Sequence, residues 1–178
     1  VDEIVFGRCC EFVYSGDYSV PLPTADRYVD DDDEPRDSQP LCQEPARQWN
    51  PLNHQENMFH PSKLPDIYAF IKKNLDKEPL DEDGEIPNTD PADNYVGVFL
   101  SHAEVYRLAV TTHWVPLWAL SLYRLIRSLA SFTLCEERTG DIVELLKFVF
   151  EENEYMHDLR DVLVHYAAWN VGSTYRGW

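Results

Sequence analysis

Eleven of the twelve prolines fall between Pro21 and Pro91, and the same stretch holds most of the negative charge. Residues 21–94 carry eighteen acids and seven bases, a net of −11 within the −17 of the whole chain, while residues 1–20 and 95–178 carry −3 each. Proline fixes φ and removes a backbone donor, so it interrupts both helices and sheets. Acidic, proline-broken sequence also buries too little apolar surface to offset an ordering entropy of roughly 1–2 kcal/mol per residue. The stretch 21–94 therefore reads as a long disordered insertion, with Asp30 to Glu34 as a solvated acidic linker. The fold has to come from the two apolar blocks on either side. Together they offer roughly a hundred residues, enough for one small core.

A balance this acidic argues against nucleic acid, which demands a basic patch, and against anionic membrane surfaces. No apolar run approaches the roughly twenty residues that span a bilayer, and no basic segment followed by an apolar one opens the chain. Of the four cysteines, Cys9 and Cys10 are adjacent and Cys42 and Cys135 stand alone, which does not make a disulfide framework. Reduced thiols and a cytoplasmic or nuclear location are the expectation. The chain opens on Val1 rather than Met, as a processed product or a fragment would.

Apolar spacing near 3.6 predicts a helix over Val1 to Val13, ending at a Ser-Gly-Asp turn and followed by a short extended piece up to Val20. Inside the insertion only Ile67 to Leu75 has helical character. Four more helices are predicted: Val98 to Thr112, with Phe99, Ala103, Tyr106 and Val110 on one stripe; Pro116 to Ser131; Asp141 to Glu152; and Asp158 to about Asn170. Pro116 suits a first turn, where its missing N–H costs little. The helix that follows it is apolar over so much of its circumference that it must be buried on several sides. Asp141 and Glu144 have the spacing of a capping box, and Gly172 reads as a stop signal.

Six segments carry a family resemblance. Phe12-Val-Tyr-Ser-Gly-Asp-Tyr18 resembles the helix-end and strand segment of BTB/POZ domains, where an apolar residue precedes a Tyr-Thr/Ser-Gly turn. His102 to Ala109 (HAEVYRLA) resembles the next helix of that family. The corner His113 to Leu117 and the segment Ala119 to Leu125 are similar to the turn and helix that close the fold. The trailing segments GDIVELLKFVFEE and LRDVLVHYAAW look like the helical extension found in many fungal BTB proteins.

The resemblance covers residues 1–20 and 98–171 and implies a mostly α chain: an incomplete BTB/POZ-like α+β fold with a C-terminal helical extension. Residues 1–20 would supply a helix and strand entry, 21–94 the insertion, 95–132 a helix pair and 133–178 the extension. The implied function is non-enzymatic protein–protein interaction, as an intracellular adaptor or scaffold, in some members for a ubiquitin ligase. The elements that open a complete domain and carry most of its homodimer interface would lie before Val1, so homodimerisation is expected only if they exist. The short hydrophobic-x-Glu motif used to recruit cullins would also fall upstream, and cullin binding is not supported by residues of this chain. The alternatives are a truncated gene product without independent function and, behind it, an unrecognised enzyme using Asp161 and His165.

The residues expected to matter are structural. Phe12, Tyr14, Gly16 and Tyr18 set the strand entry, while His102, Tyr106, Trp114, Pro116, Leu117 and Leu120 hold the helix pair. Trp118 and Tyr123 cannot share the stripe of Leu120 and Ile126. They are the candidate partner-binding residues, with exposed apolar area expected near Trp118 and the first helix.

For catalysis the only candidates are Asp161 and His165, spaced i, i+4, and a solvent-exposed helix pair explains them as well. No GxSxG, HExxH or phosphate-cradling glycine loop is present. No cofactor is expected. For metal, Cys9 and Cys10 with His54 and His60 form the only gathering, and adjacent helical cysteines diverge by about 100°, which suits tetrahedral ligation poorly.

Overall fold

A computed structural model describes residues 2–25, 49, 63–75, 92–151 and 155–175, the last five of these as backbone only. The chain is mostly helical, with six α-helices and one two-stranded sheet among the described residues. The helices are α1 (Glu3–Ser15), α2 (Leu64–Asn74), α3 (Val96–Thr111), α4 (Val115–Ser131), α5 (Thr139–Glu151) and α6 (His157–Tyr175). A 3₁₀ turn, Glu136–Arg138, leads into α5.

Local chemistry accounts for where α1 begins and ends. Asp2 caps its N-terminus, Oδ1 accepting from the Ile4 N–H at 2.8 Å. Gly16 ends it in the left-handed conformation, φ 79°, donating its N–H to the Phe12 carbonyl. Any side chain would be strained at that φ. The helix thus runs on to Ser15. The extended pairing comes later than the sequence predicts, with β1 (Thr24–Ala25) antiparallel to β2 (Asp93–Asn94) in the register Thr24 to Asn94 and Ala25 to Asp93.

The α3–α4 hairpin is the central layer. Its tight corner puts His113 at φ 57°, and the Trp114 N–H returns to the Ala109 carbonyl at 2.8 Å. One side of the hairpin packs on α1, where Val5, Cys9 and Tyr18 meet Val105, Ala109, Leu117 and Leu120. The other side presents Phe99, Ala103, Tyr106, Leu122, Leu125, Ile126 and Leu129 to the larger core built with α2, α5 and α6. This two-sided burial is what the broad apolar surface of α4 requires.

The helix predicted within 67–75 forms, starting at Leu64 with Pro65 in its first turn. It buries Leu64, Ile67 and Ile71 in the larger core, and Trp49 joins them at 5% exposure. These two pieces of the acidic stretch belong to the folded body. The run Asp30 to Glu34 lies outside the described residues.

Two boundary signals act differently from their sequence reading. Asp141 does not cap α5, because the 3₁₀ turn feeds straight into Thr139 and leaves Asp141 inside the first turn. Its carboxylate instead accepts from the Tyr95 N–H at 2.8 Å and pairs with Arg138 at 3.7 Å, both side chains less than a tenth exposed. Gly172 does not stop α6, which continues to Tyr175. A glycine ends a helix when it turns left-handed, and among the described glycines only Gly16 does so.

Candidate functional site

The seam between the turn after α1 and the α3–α4 hairpin holds a buried polar chain. Tyr18 is 3% exposed and His102 fully buried. The Tyr18 hydroxyl lies 2.8 Å from His102 Nδ1, and Ser128 Oγ lies 3.4 Å from Nε2. We assign the tautomer in which Tyr18 donates to Nδ1 and the Nε2–H points at Ser128. Burial drives the His102 pKa well below its ordinary value, with Arg124 and then Arg8 adding to the effect, so the ring is neutral.

Arg124 completes this seam. Its guanidinium sits 5.0 Å above the Tyr18 ring, pairs with Asp17 at 2.7 Å and donates to the Tyr18 carbonyl. A cation lying on an aromatic face and bonded to the adjacent carboxylate fixes the Gly-Asp-Tyr turn on α4. On the outer side of the turn, Glu11 accepts from the Ser19 N–H at 2.7 Å, which holds the Glu11 pKa below its ordinary value.

The other residues singled out in the sequence divide between packing and surface. Phe12 sets its ring edge-on to Trp114, centroids 5.5 Å apart. Leu117 and Leu120 are buried between α1 and α3, and Pro116 is exposed in the first turn of α4. Tyr14 is 91% exposed. Trp118 lies half-buried between Phe70 of α2, at 4.6 Å, and Tyr106 of α3, at 6.3 Å. Tyr123 also packs against the larger core. The second face that these two give α4 is thus covered by α2. On α1, by contrast, Ile4, Phe6, Val13 and Tyr14 all stand exposed.

A second polar group lies along α6. The Tyr106 hydroxyl reaches Asp158 Oδ2 at 3.4 Å. The buried Trp118 N–H makes no well-formed hydrogen bond, yet it joins Tyr106 in partly offsetting the burial that raises the Asp158 pKa. Asp161 pairs with Lys63 at 3.2 Å, and His165 Nδ1 accepts the Trp49 indole N–H at 3.2 Å. The two residues considered for catalysis are therefore each bonded to a different neighbour. With its Nδ1 lone pair engaged, His165 is the Nε2–H tautomer.

Cys9 is buried and Cys10 half-buried beside it; burial first, and Cys10 second, raise the Cys9 pKa. His54 and His60 lie outside the described residues. Among the described residues no group of three or more His, Cys, Asp or Glu is placed to hold a metal ion, and no helix is long and apolar enough to cross a membrane.

Three features had little signal in the sequence. Arg124 is one of two arginines on an otherwise apolar helix, and nothing local separates it from the exposed Arg127. Trp49 sits among polar and proline residues. The Phe6 and Val13 stripe alternates with the buried one on the same helix. Comparison with protein-family models, with curated proteins and with solved structures finds no match to this chain.

Proposed function

We propose that this chain is a non-enzymatic protein-interaction module of BTB/POZ type, acting as an adaptor or scaffold. The observation that carries the reading is the convergence of the segments on which the resemblance rests. Phe12, Gly16 and Tyr18 come from one end of the chain and His102, Trp114 and Leu120 from beyond the acidic stretch. They meet in one seam through the Tyr18–His102 bond, the Phe12–Trp114 ring contact and the Arg124–Asp17 pair. These contacts give the module a rigid scaffold from which exposed side chains on α1 can be presented.

The test is cross-linking mass spectrometry on the chain in extracts of its own cells. A defined protein cross-linked reproducibly to the chain is the expected result. Recovery of the chain alone, with no cross-linked partner, would overturn the proposal.

A further inference from the structure

Most of the circumference of α1 is apolar, but only one stripe of it is covered. Val5 and Cys9, flanked by Phe12, pack on Val105, Ala109, Leu117 and Leu120. At about 100° per residue, Phe6, Cys10 and Val13 fall on the adjoining stripe at i, i+4 and i+7, with Tyr14 at its far edge. Phe6 is 60%, Val13 62% and Tyr14 91% exposed, with Cys10 half-buried between them, so the described residues leave the outer part of this stripe open.

The rim of the stripe has one sign of charge. Glu3, Gly7 and Glu11 run alongside at i, i+4 and i+8, and Asp2, Glu3 and Glu11 are exposed. The one base of the helix, Arg8, is turned inward onto Glu104 at 3.7 Å, its side chain 11% exposed. Gly7 adds a steric observation, because a Cβ there would meet nothing within 4 Å. The fold does not require this glycine, which costs about 0.5–1 kcal/mol relative to alanine inside a helix. A missing side chain beside an apolar stripe lets a second helix approach closely.

We infer that this face of α1 docks an amphipathic helix of a partner protein, its apolar stripe over Phe6, Cys10 and Val13 and its Lys or Arg flank over Glu3 and Glu11. The inference rests on the protein-interaction reading and adds the surface and the partner's chemistry. A second copy of the chain fits worse. Its α1 brings the same acids and no exposed base, and the chain carries −17 overall. The exposed side chains also offer on the order of 400 Å², about half of the 800 Å² per partner typical of a stable interface. Patches of this size serve transient partners. An anionic lipid surface would be repelled by the acidic rim.

The probe is a synthetic helical peptide with one Leu stripe flanked by Lys, titrated into the full chain and followed by fluorescence anisotropy and backbone amide shifts. A scrambled peptide of the same composition and a Glu-flanked version are the controls. The expected result is salt-sensitive binding of the Lys-flanked peptide with shifts centred on α1. Affinity should fall roughly tenfold in a Phe6→Ser/Val13→Ser variant and in Glu3→Lys. Gly7→Ala should bind more weakly while unfolding at a higher temperature, a divergence that a purely structural glycine would not give.

Equal binding of the scrambled or Glu-flanked peptide, or shifts centred elsewhere, would overturn the inference. So would a dimer in sedimentation that Val13→Ser abolishes, since the occupant would then be a second copy. A cellular partner whose cross-links avoid α1 would overturn this site and leave the interaction reading standing. The absence of any cellular partner would overturn both.

Discussion

The Tyr18 hydroxyl and His102 Nδ1 lie 2.8 Å apart although 84 positions separate them in the chain. The bond ties the turn after α1 to the middle of α3, across the whole acidic stretch. A buried acceptor nitrogen with no other donor described makes this an asymmetric contact, since losing the donor costs more than forming the bond gained.

Tyr18→Phe isolates that bond, because it keeps the ring under Arg124 and against His102. The expected cost is about 1–3 kcal/mol, the desolvation penalty of an orphaned buried acceptor. Urea titration reads it, and a change below about 0.5 kcal/mol would show that His102 is satisfied otherwise.

The same histidine makes stability depend on pH. Its native pKa is held well below the ordinary 6.5, by burial first and then by Arg124 and Arg8, so between the two values the unfolded chain binds a proton that the native one refuses. Stability is therefore complete above pH 6.5 and falls on acidification by up to about 1.4 kcal/mol per pH unit. His165 shifts the same way through burial but is only partly buried and adds less. Asp158, raised by burial, acts in the opposite sense within the carboxylate range. Urea midpoints should drop from pH 6.5 towards pH 5, with a shallower slope in His102→Gln. Equal slopes in the two proteins would remove His102 as the cause.

Leu120 is 2% exposed between α1 and the α3–α4 hairpin. Leu120→Asp places an unpaired charge there and should cost at least about 3 kcal/mol. Loss of a cooperative thermal transition is the expected outcome. A variant that still melts cooperatively near the parent temperature would contradict this packing.

Periodicity made the helices legible, since Phe99, Ala103 and Tyr106, or Leu145 and Val149, repeat at the helical spacing and are all buried. The breadth of apolar surface on α4 also announced burial on two sides. What the sequence withheld are relations between distant residues. Nothing local says that Asp141 serves the Tyr95 N–H rather than its own helix end, or that Tyr18 finds His102. The expectation of open apolar surface near Trp118 missed α2, whose Phe70 comes from within the acidic stretch. Gly16 and Gly172 look alike as letters, and only the left-handed φ of the first makes it a terminator.

The pair Arg138–Asp141 is a second buried centre, side chains 8% and 5% exposed. Asp141→Asn keeps an oxygen for the Tyr95 N–H but takes away the negative charge that Asp141 sets against the buried guanidinium, at an expected cost of about 3–5 kcal/mol. Adding Arg138→Met should recover a large part of that loss. A double-mutant cycle in guanidinium measures the coupling, and strict additivity would mean that the two charges do not act as a pair.

Trp49 is a second contribution of the acidic stretch to the core, beside that of α2. Its ring stands edge-on to Tyr166 at 5.1 Å, its N–H donates to His165, and it is 5% exposed. Trp49→Ala should therefore cost about 3–5 kcal/mol, as for a large aromatic removed from a packed core. Trp49→Phe, which chiefly loses the hydrogen bond, should cost about 1 kcal/mol. Thermal unfolding of the two variants separates these terms. An alanine variant within about 0.5 kcal/mol of the parent would detach residue 49 from the folded body, and His165 Nδ1 would then need another donor.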